Sequence, residues 1–192
     1  MKQKPVIFLS GKRLHLRALE TEDLDRCRRW VNDPDIRQFI LNQMPFDEIG
    51  ERQWHESRDR GQFRTDITLA MVLKKGSRHI GLTGIHHIDW INRTASTGAI
   101  IGEAAYREKG YGSEAKAIVL QYAFDTLDLH RICSTVLATN LRSLAYLKKS
   151  GYRQEGVLRE HIYRNGERVD EIQLGILAEE WRARRRVDGS LI

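Results

Sequence analysis

Between residues 67 and 123 the spacing of apolar side chains changes from two to 3.6, which limits the chain to folds that lay helices against a sheet. Ile67, Leu69, Met71 and Leu73 alternate with Thr68, Ala70, Val72 and Lys74, a strand closed by Lys75-Gly76-Ser77. Ala115, Ile118, Val119, Tyr122 and Ala123 fall at i, i+3, i+4, i+7 and i+8, one apolar face of a helix predicted over 111–127. Other strands are predicted at 6–9 and 13–19 around Ser10-Gly11-Lys12, at 79–89 and 95–103 with Asn92-Arg93 between them, at 131–138, and at 152–158 and 170–177 around Asn165-Gly166. Thr21 starts a helix with Glu22 and Asp23 in its first turn, where the dipole favours acids, and Asn32-Asp33-Pro34 ends it. Further helices are predicted at about 46–60 and at 140–149. The order is a β-meander followed by β-α-β-α-β-β, a mixed α/β sheet with helices on its faces.

Composition removes several classes. With Gly counted and Tyr left out, about 46% of the residues are apolar, the ordinary value for a globular chain of one domain. No apolar run approaches the roughly 20 residues of a membrane helix, and Val6-Ile7-Phe8-Leu9 is too short for a signal-peptide core. Sparse cysteine (Cys27 and Cys133) predicts a reduced, cytoplasmic protein, and no Cys/His spacing predicts a metal site. Thirty-two Lys and Arg against 26 Asp and Glu leave a net charge of +6. That balance suits nucleic acid, ribosomes, anionic lipid, a polyphosphate cofactor or a solvated arginine-rich face, and composition does not separate them.

Arg107-Glu108-Lys109-Gly110-Tyr111-Gly112-Ser113 follows a strand and opens the helix at 111. A helix start offers unpaired backbone N–H groups and a positive dipole end, and glycine lets an anion approach closely. No P-loop string is present. Gly110 to Ala115 also matches the dinucleotide pattern G-x-G-x-x-A, with Asp128 downstream. That motif belongs after the first strand of a βαβ sheet, not after about a hundred residues of meander.

Arg107 to Gly112 further fits R/Q-x-x-G-x-G/A, and other stretches agree with the same source: Leu129-His130-Arg131-Ile132, Asn140-Leu141-Arg142-Ser143, and Lys148-Lys149-Ser150-Gly151-Tyr152. Together they resemble the GCN5-related N-acetyltransferases. Arg13-Leu14-His15-Leu16-Arg17, Trp30 to Pro34, Glu155 to Glu160, and Asn165-Gly166 with Asp170 are similar to the RimJ/RimL-type subgroup. The resemblance spans about residues 12–181 and implies one domain over 1–192 with a basic tail at about 182–192. It also implies a mixed, mostly antiparallel central sheet with helices on both faces. Homodimers are common in the family, and no residue pattern here marks an interface.

The resemblance implies acetyl-CoA as donor and a primary amine as acceptor, joined by direct attack in a ternary complex. The strand through Ile100, Ile101 and Gly102 would offer its backbone to the pantetheine arm, with an N–H near Ile101 on the thioester oxygen. Arg107, Glu108, Lys109, Gly110, Tyr111, Gly112 and Ser113 would hold the pyrophosphate, and Asn140 the arm. Where many relatives carry a catalytic Glu, this chain has Ala95-Ser96-Thr97, so Glu103 is the nearest candidate base. His86, His87, Glu160 and His161 are candidates for a water-mediated route.

The Tyr that many relatives place seven residues after the Asn is Leu147 here. On a helical wheel counted from Asn140, Tyr146 turns roughly 100° away and reads as a packing residue, whereas Ser143 lies about 60° from Asn140 on the usable face; the resemblance to the RimL-type subgroup implies Ser143 as the candidate acid. Trp30, Phe39, Phe46, Trp54 and Trp90 are candidates to line an acceptor cleft. The subgroup resemblance points to a protein N-terminal amine of the ribosomal-protein type, and the net charge would help approach to rRNA; polyamines, amino sugars and an inert CoA- or RNA-binding module are the alternatives.

Overall fold

The computed structural model describes residues 5–40, 43–50 and 64–188. Its strands are β1 (Ile7–Ser10), β2 (Leu14–Ala18), β3 (Ile67–Leu73), β4 (His79–Asp89), β5 (Thr94–Ile101), β6 (Arg131–Leu137), β7 (Arg153–Arg164) and β8 (Glu167–Leu177). They form one sheet in the order β1-β2-β3-β4-β5-β6-β8-β7. Every ladder is antiparallel except that of β5 and β6, which is parallel. Helices α1 (Leu24–Asn32), α2 (Pro34–Arg37), α3 (Tyr111–Gln121), α4 (Leu141–Lys149) and α5 (Ala178–Asp188) cover the faces. Among the described residues no helix is long and apolar enough to cross a membrane.

The alternation in β3 serves both faces. Leu69, Met71 and Leu73 join the larger core with Ile118, Val119 and Trp181, whereas Ala70 and Val72 join a smaller one with Cys27, Trp30 and Ile36. Each fully buried aliphatic side chain contributes about 1.5–3 kcal/mol to this packing.

Four elements differ from the sequence expectation. The last two strands are longer, because Asn165 and Gly166 take positive φ (51° and 90°) and close a two-residue turn. The helix from Tyr111 changes to a π-helical turn at Tyr122–Thr126. The expected basic tail is helical through Asp188, because its arginines find partners in the fold: Arg182 donates to Phe124 O (3.0 Å), Arg184 to Lys149 O (2.8 Å) and Arg185 to Asp125 (2.9 Å). Of the helix expected at 46–60, residues 48–50 are helical and 51–60 lie outside the described residues.

A buried ion network fixes α1 against the sheet. Arg17 donates to both carboxylate oxygens of Asp23 (2.5 and 2.9 Å), Glu20 N–H to one of them (2.9 Å), and His79 Nδ1 lies 2.9 Å from the other. The Trp30 indole stands edge-on to His79, 4.9 Å between centroids. Burial alone would raise the Asp23 carboxyl, but the hydrogen bonds from Arg17 and Glu20, with the His79 ring close by, outweigh it and hold the group well below the usual carboxylate range.

A carboxyl depressed in the folded state adds stability above its unfolded value of about 3.9, and that stability is lost as pH falls. Asp23→Asn should therefore cost about 3 kcal/mol at neutral pH and flatten the acid side of the stability curve. Urea unfolding of both proteins from neutral to acid pH checks this; an unchanged acid slope would contradict it.

Candidate functional site

β5 and β6 pair only at Thr94–Arg131, Ala95–Ile132 and Ser96–Cys133, and then separate. Residues 97–101 of β5 and 134–137 of β6 line a cleft of about 660 Å³. Gly102 N–H donates to Ile80 O (3.0 Å), so antiparallel alternation turns the N–H of Ile101 away from β4 and towards the opening. A strand edge exposed in this way can take an extended ligand as an added strand.

At one end of the cleft, Gly110 precedes α3 with φ +80°, Glu108 has φ +61°, and no side chain caps the helix. Its first N–H groups are thus left for an anion. Arg13 holds this turn through Glu114 (Nε–Oε2 2.7 Å), the Lys109 carbonyl (3.0 Å) and the face of Tyr111 (4.3 Å). A Cβ added to Gly112 would meet only ordinary contacts, Tyr146 Cε2 at 3.8 Å and Ile101 Cγ1 at 4.0 Å. The fold itself does not demand glycine there, and the absence of a Cβ leaves room for close approach of a ligand. These features fit a diphosphate followed by a narrow extended arm, the shape of CoA.

Ile100, Ile101, Arg107, Glu108, Gly110, Gly112, Ser113, Asn140 and Ser143 line the cleft, as the sequence reading expects of site residues. Gly102, Glu103, Lys109 and Tyr111 do not. A Cβ on Gly102 would come within 1.9 Å of Trp30, so this glycine serves packing of α1. Glu103 is paired with Arg78, which holds its carboxylate outside the cleft lining. Tyr111 lies under Arg13, and Lys109 contributes its carbonyl to Arg13. Arg107 spends its guanidinium on the carbonyls of Ile101 (3.2 Å) and Gly102 (3.1 Å) and lies 3.6 Å from Asp33, so it braces the end of β5. Asn140 Oδ1 caps α4 by accepting from Ser143 N–H (3.1 Å).

Tyr146 packs against the core, as the sequence reading expects, but does not turn away from the site. It lines the cleft with its hydroxyl buried and, among the described residues, without a hydrogen-bond partner. Asn140 is the N-cap, with φ −88° and ψ 66°, so a wheel counted from it has no helical origin. Counted from Ser143, both Tyr146 and Leu147 fall within about 60° of the same face. Burial raises the Tyr146 phenol well above its usual pKa, and the neighbouring Tyr152 adds to this.

The sequence reading also misses Lys116. Its side chain is 1% exposed, lines the cleft, and donates from Nζ to Thr97 Oγ1 (2.6 Å). The signal was its position within about 20° of Ala123 on the apolar face of α3.

Elsewhere the cleft lining combines apolar side chains with two acids. Val31, Phe39, Ile40 and Phe46 line it alongside Asp35 and Glu171. Asn32 fixes the Phe46 backbone by two hydrogen bonds (2.7 and 2.9 Å). Trp30 packs in the fold, Trp90 lies at the surface donating to Arg64 O (3.0 Å), and Trp54 lies outside the described residues. His86 also lines the cleft, its Nδ1 3.0 Å from Asp66; a hydrogen bond from His86 helps hold the Asp66 carboxyl below its usual pKa despite partial burial. His87 and Glu160 occupy strand irregularities with φ +52°, and His161 lies 3.7 Å from Glu171.

Gly112→Asp should keep the fold and weaken CoA binding ~100-fold, since each charge-assisted hydrogen bond lost costs about 1.5–3 kcal/mol. Calorimetry beside a melting curve checks it; near-parent affinity would refute the assignment of the loop.

The family model described as "Acetyltransferase (GNAT) domain" matches residues 13–153. The chain is 42% identical over 178 residues to the uncharacterized N-acetyltransferase YnaD of Bacillus subtilis, covering 91% of this chain and 99% of that one. It is 21% identical over 188 residues to the spermidine N(1)-acetyltransferase of Escherichia coli, covering 95% and 96%. In fold it is similar to the spermidine N-acetyltransferase of Vibrio cholerae in complex with CoA and spermine, with a TM-score of 0.81 at 24% identity over 88% of this chain and 98% of that one. The divided strands, the uncapped glycine turn and the family match converge: the chain belongs to the GNAT acetyltransferase family and is an acetyl-CoA-dependent N-acetyltransferase.

Proposed function

We propose that the acceptor is the primary amine of an aliphatic polyamine. The observation that carries this is Glu171, a carboxylate only 7% exposed on the wall of a cleft whose lining also includes Phe39, Ile40 and Phe46. Alternating methylene and ammonium groups match apolar walls interspersed with carboxylates, and Asp35 supplies a second acid. The net charge of +6 is no obstacle, because it is a property of the whole surface and many of its arginines are bound to carbonyls or acids of the fold. The E. coli and V. cholerae relatives that carry spermidine in their names support the same class.

In this reading the glycine turn holds the diphosphate and the edge of β5 the pantetheine arm. Bound acetyl-CoA supplies an activated acyl group. The outward N–H of Ala99, two residues from Ile101 on that edge and nearer the closed end of the cleft, stabilises the oxyanion of the tetrahedral state. The amine attacks as a neutral group, and His86, oriented by Asp66, accepts its proton directly or through water. Ser143 and Tyr146 both lie within the cleft lining and orient the sulfur.

A thiol-release assay with spermidine, spermine, peptides bearing free N-termini and amino sugars decides the acceptor. Polyamines should be the fastest, and Glu171→Gln should raise their KM about 30-fold with CoA affinity retained, the loss expected for one buried charge contact. Faster turnover of peptide N-termini would replace the polyamine by a protein substrate.

A further inference from the structure

Lys116 sits where the two strands part. Thr97 and Ser134 are the first residues beyond the last β5–β6 pair, and Thr97 Oγ1 gathers three groups: Lys116 Nζ at 2.6 Å, Tyr152 Oη at 2.8 Å and Ser134 Oγ at 3.2 Å. The Lys116 ammonium also lies 5.6 Å from the ring centroid of Tyr146 and 5.5 Å from that of Tyr152. Thr97 faces it from β5, Tyr146 from α4 and Tyr152 from the segment before β7, with Ser134 of β6 one bond further on. Among the described residues no carboxylate pairs with it. A buried cation without a counterion is costly, and an apolar side chain of similar length would fill the space with less penalty. Its place on the cleft lining gives the charge a use.

We propose that Lys116 is the proton donor to the CoA thiolate, meeting the sulfur at the closed end of the divided strands as the thioester breaks. The acceptor nitrogen forms its bond to the carbonyl carbon, the C–S bond breaks, and its electron pair leaves on sulfur. Lys116 Nζ gives a proton to that sulfur and becomes a neutral amine. The surplus proton of the new amide leaves through His86 or water, and Lys116 takes a proton back from solvent once CoA departs. The role rests on acetyl transfer alone and holds for any acceptor amine.

Energetics favour this direction. Burial pushes the Lys116 ammonium down to about 7, so acid and amine forms coexist at neutral pH. A thiol has an ordinary pKa of about 8.5, so a thiolate takes a proton from such an ammonium downhill, whereas an ordinary lysine at about 10.4 would give it up uphill. The developing negative charge on sulfur also supplies the counterion that the resting site lacks.

Lys116→Met tests the assignment, since it keeps length and removes the proton. The variant should melt at the same temperature as the parent or higher, and should bind CoA with similar affinity. Two readouts separate a proton donor from a structural residue. The thiol of bound CoA, followed by its ultraviolet thiolate absorbance, should titrate lower in the parent than in Lys116→Met, which has no nitrogen to share or donate a proton to the sulfur. With the fastest acceptor amine, kcat should fall about 100-fold in the variant. The alkaline limb of the parent profile, where rate is lost as pH rises and Lys116 loses its proton, should disappear. Identical thiolate titrations and identical alkaline limbs in the two proteins would overturn the proposal. So would acetylation of Lys116 on incubation with acetyl-CoA alone, because the residue would then be a nucleophile. The thiolate titration needs no acceptor, so failure of polyamine turnover with this titration intact rejects the acceptor and retains Lys116.

Discussion

The structure turns on one interrupted ladder. β5 and β6 run parallel, bond to each other through Ser96 and Cys133, and then leave their facing edges unmatched. Buried main-chain groups without partners are costly, so such a gap persists only where something else satisfies them. Here the surrounding architecture holds the gap open: β4 grips β5 from one side, β8 grips β6 from the other, and α3 and α4 wall its ends. The same opening supplies donors for the cofactor arm and brings Lys116, Tyr146 and Ser143 into one space.

Much of the fold was legible because period and turn chemistry are local. The strand–helix order, the Asn165-Gly166 turn and the glycine turn before α3 could be read from short stretches. What escaped depends on pairing across the chain. Nothing in the string of residues 94–101 says that its ladder with 131–137 stops after Ser96. The extended strands β7 and β8 likewise required knowing that their bulges keep Glu160 out of register without ending the pairing.

The site was legible in its phosphate end and less so in its chemistry. Helix starts and glycines announce themselves, but side-chain direction does not. Arg107 looked like a phosphate ligand, and its guanidinium donates to two carbonyls of the fold; Glu103 looked catalytic and is held by Arg78. Tyr146 was misplaced because Asn140 stands outside the helix whose rotation it was used to measure. Lys116 went unnoticed because a lysine beside an apolar stripe ordinarily snorkels to water, and here the stripe encircles it.

The contact between Arg13 and Glu114 joins residues 101 positions apart. One partner starts the second strand and the other lies in the first turn of the phosphate-facing helix, so cofactor recognition is wired to the earliest segment of the chain. During synthesis, the turn around Gly110 can emerge and wind into helix while Arg13 still samples a long open loop, whose closure carries an entropic cost. A diphosphate bound at the completed turn would offset part of that cost, coupling cofactor affinity to the docking of the N-terminal hairpin.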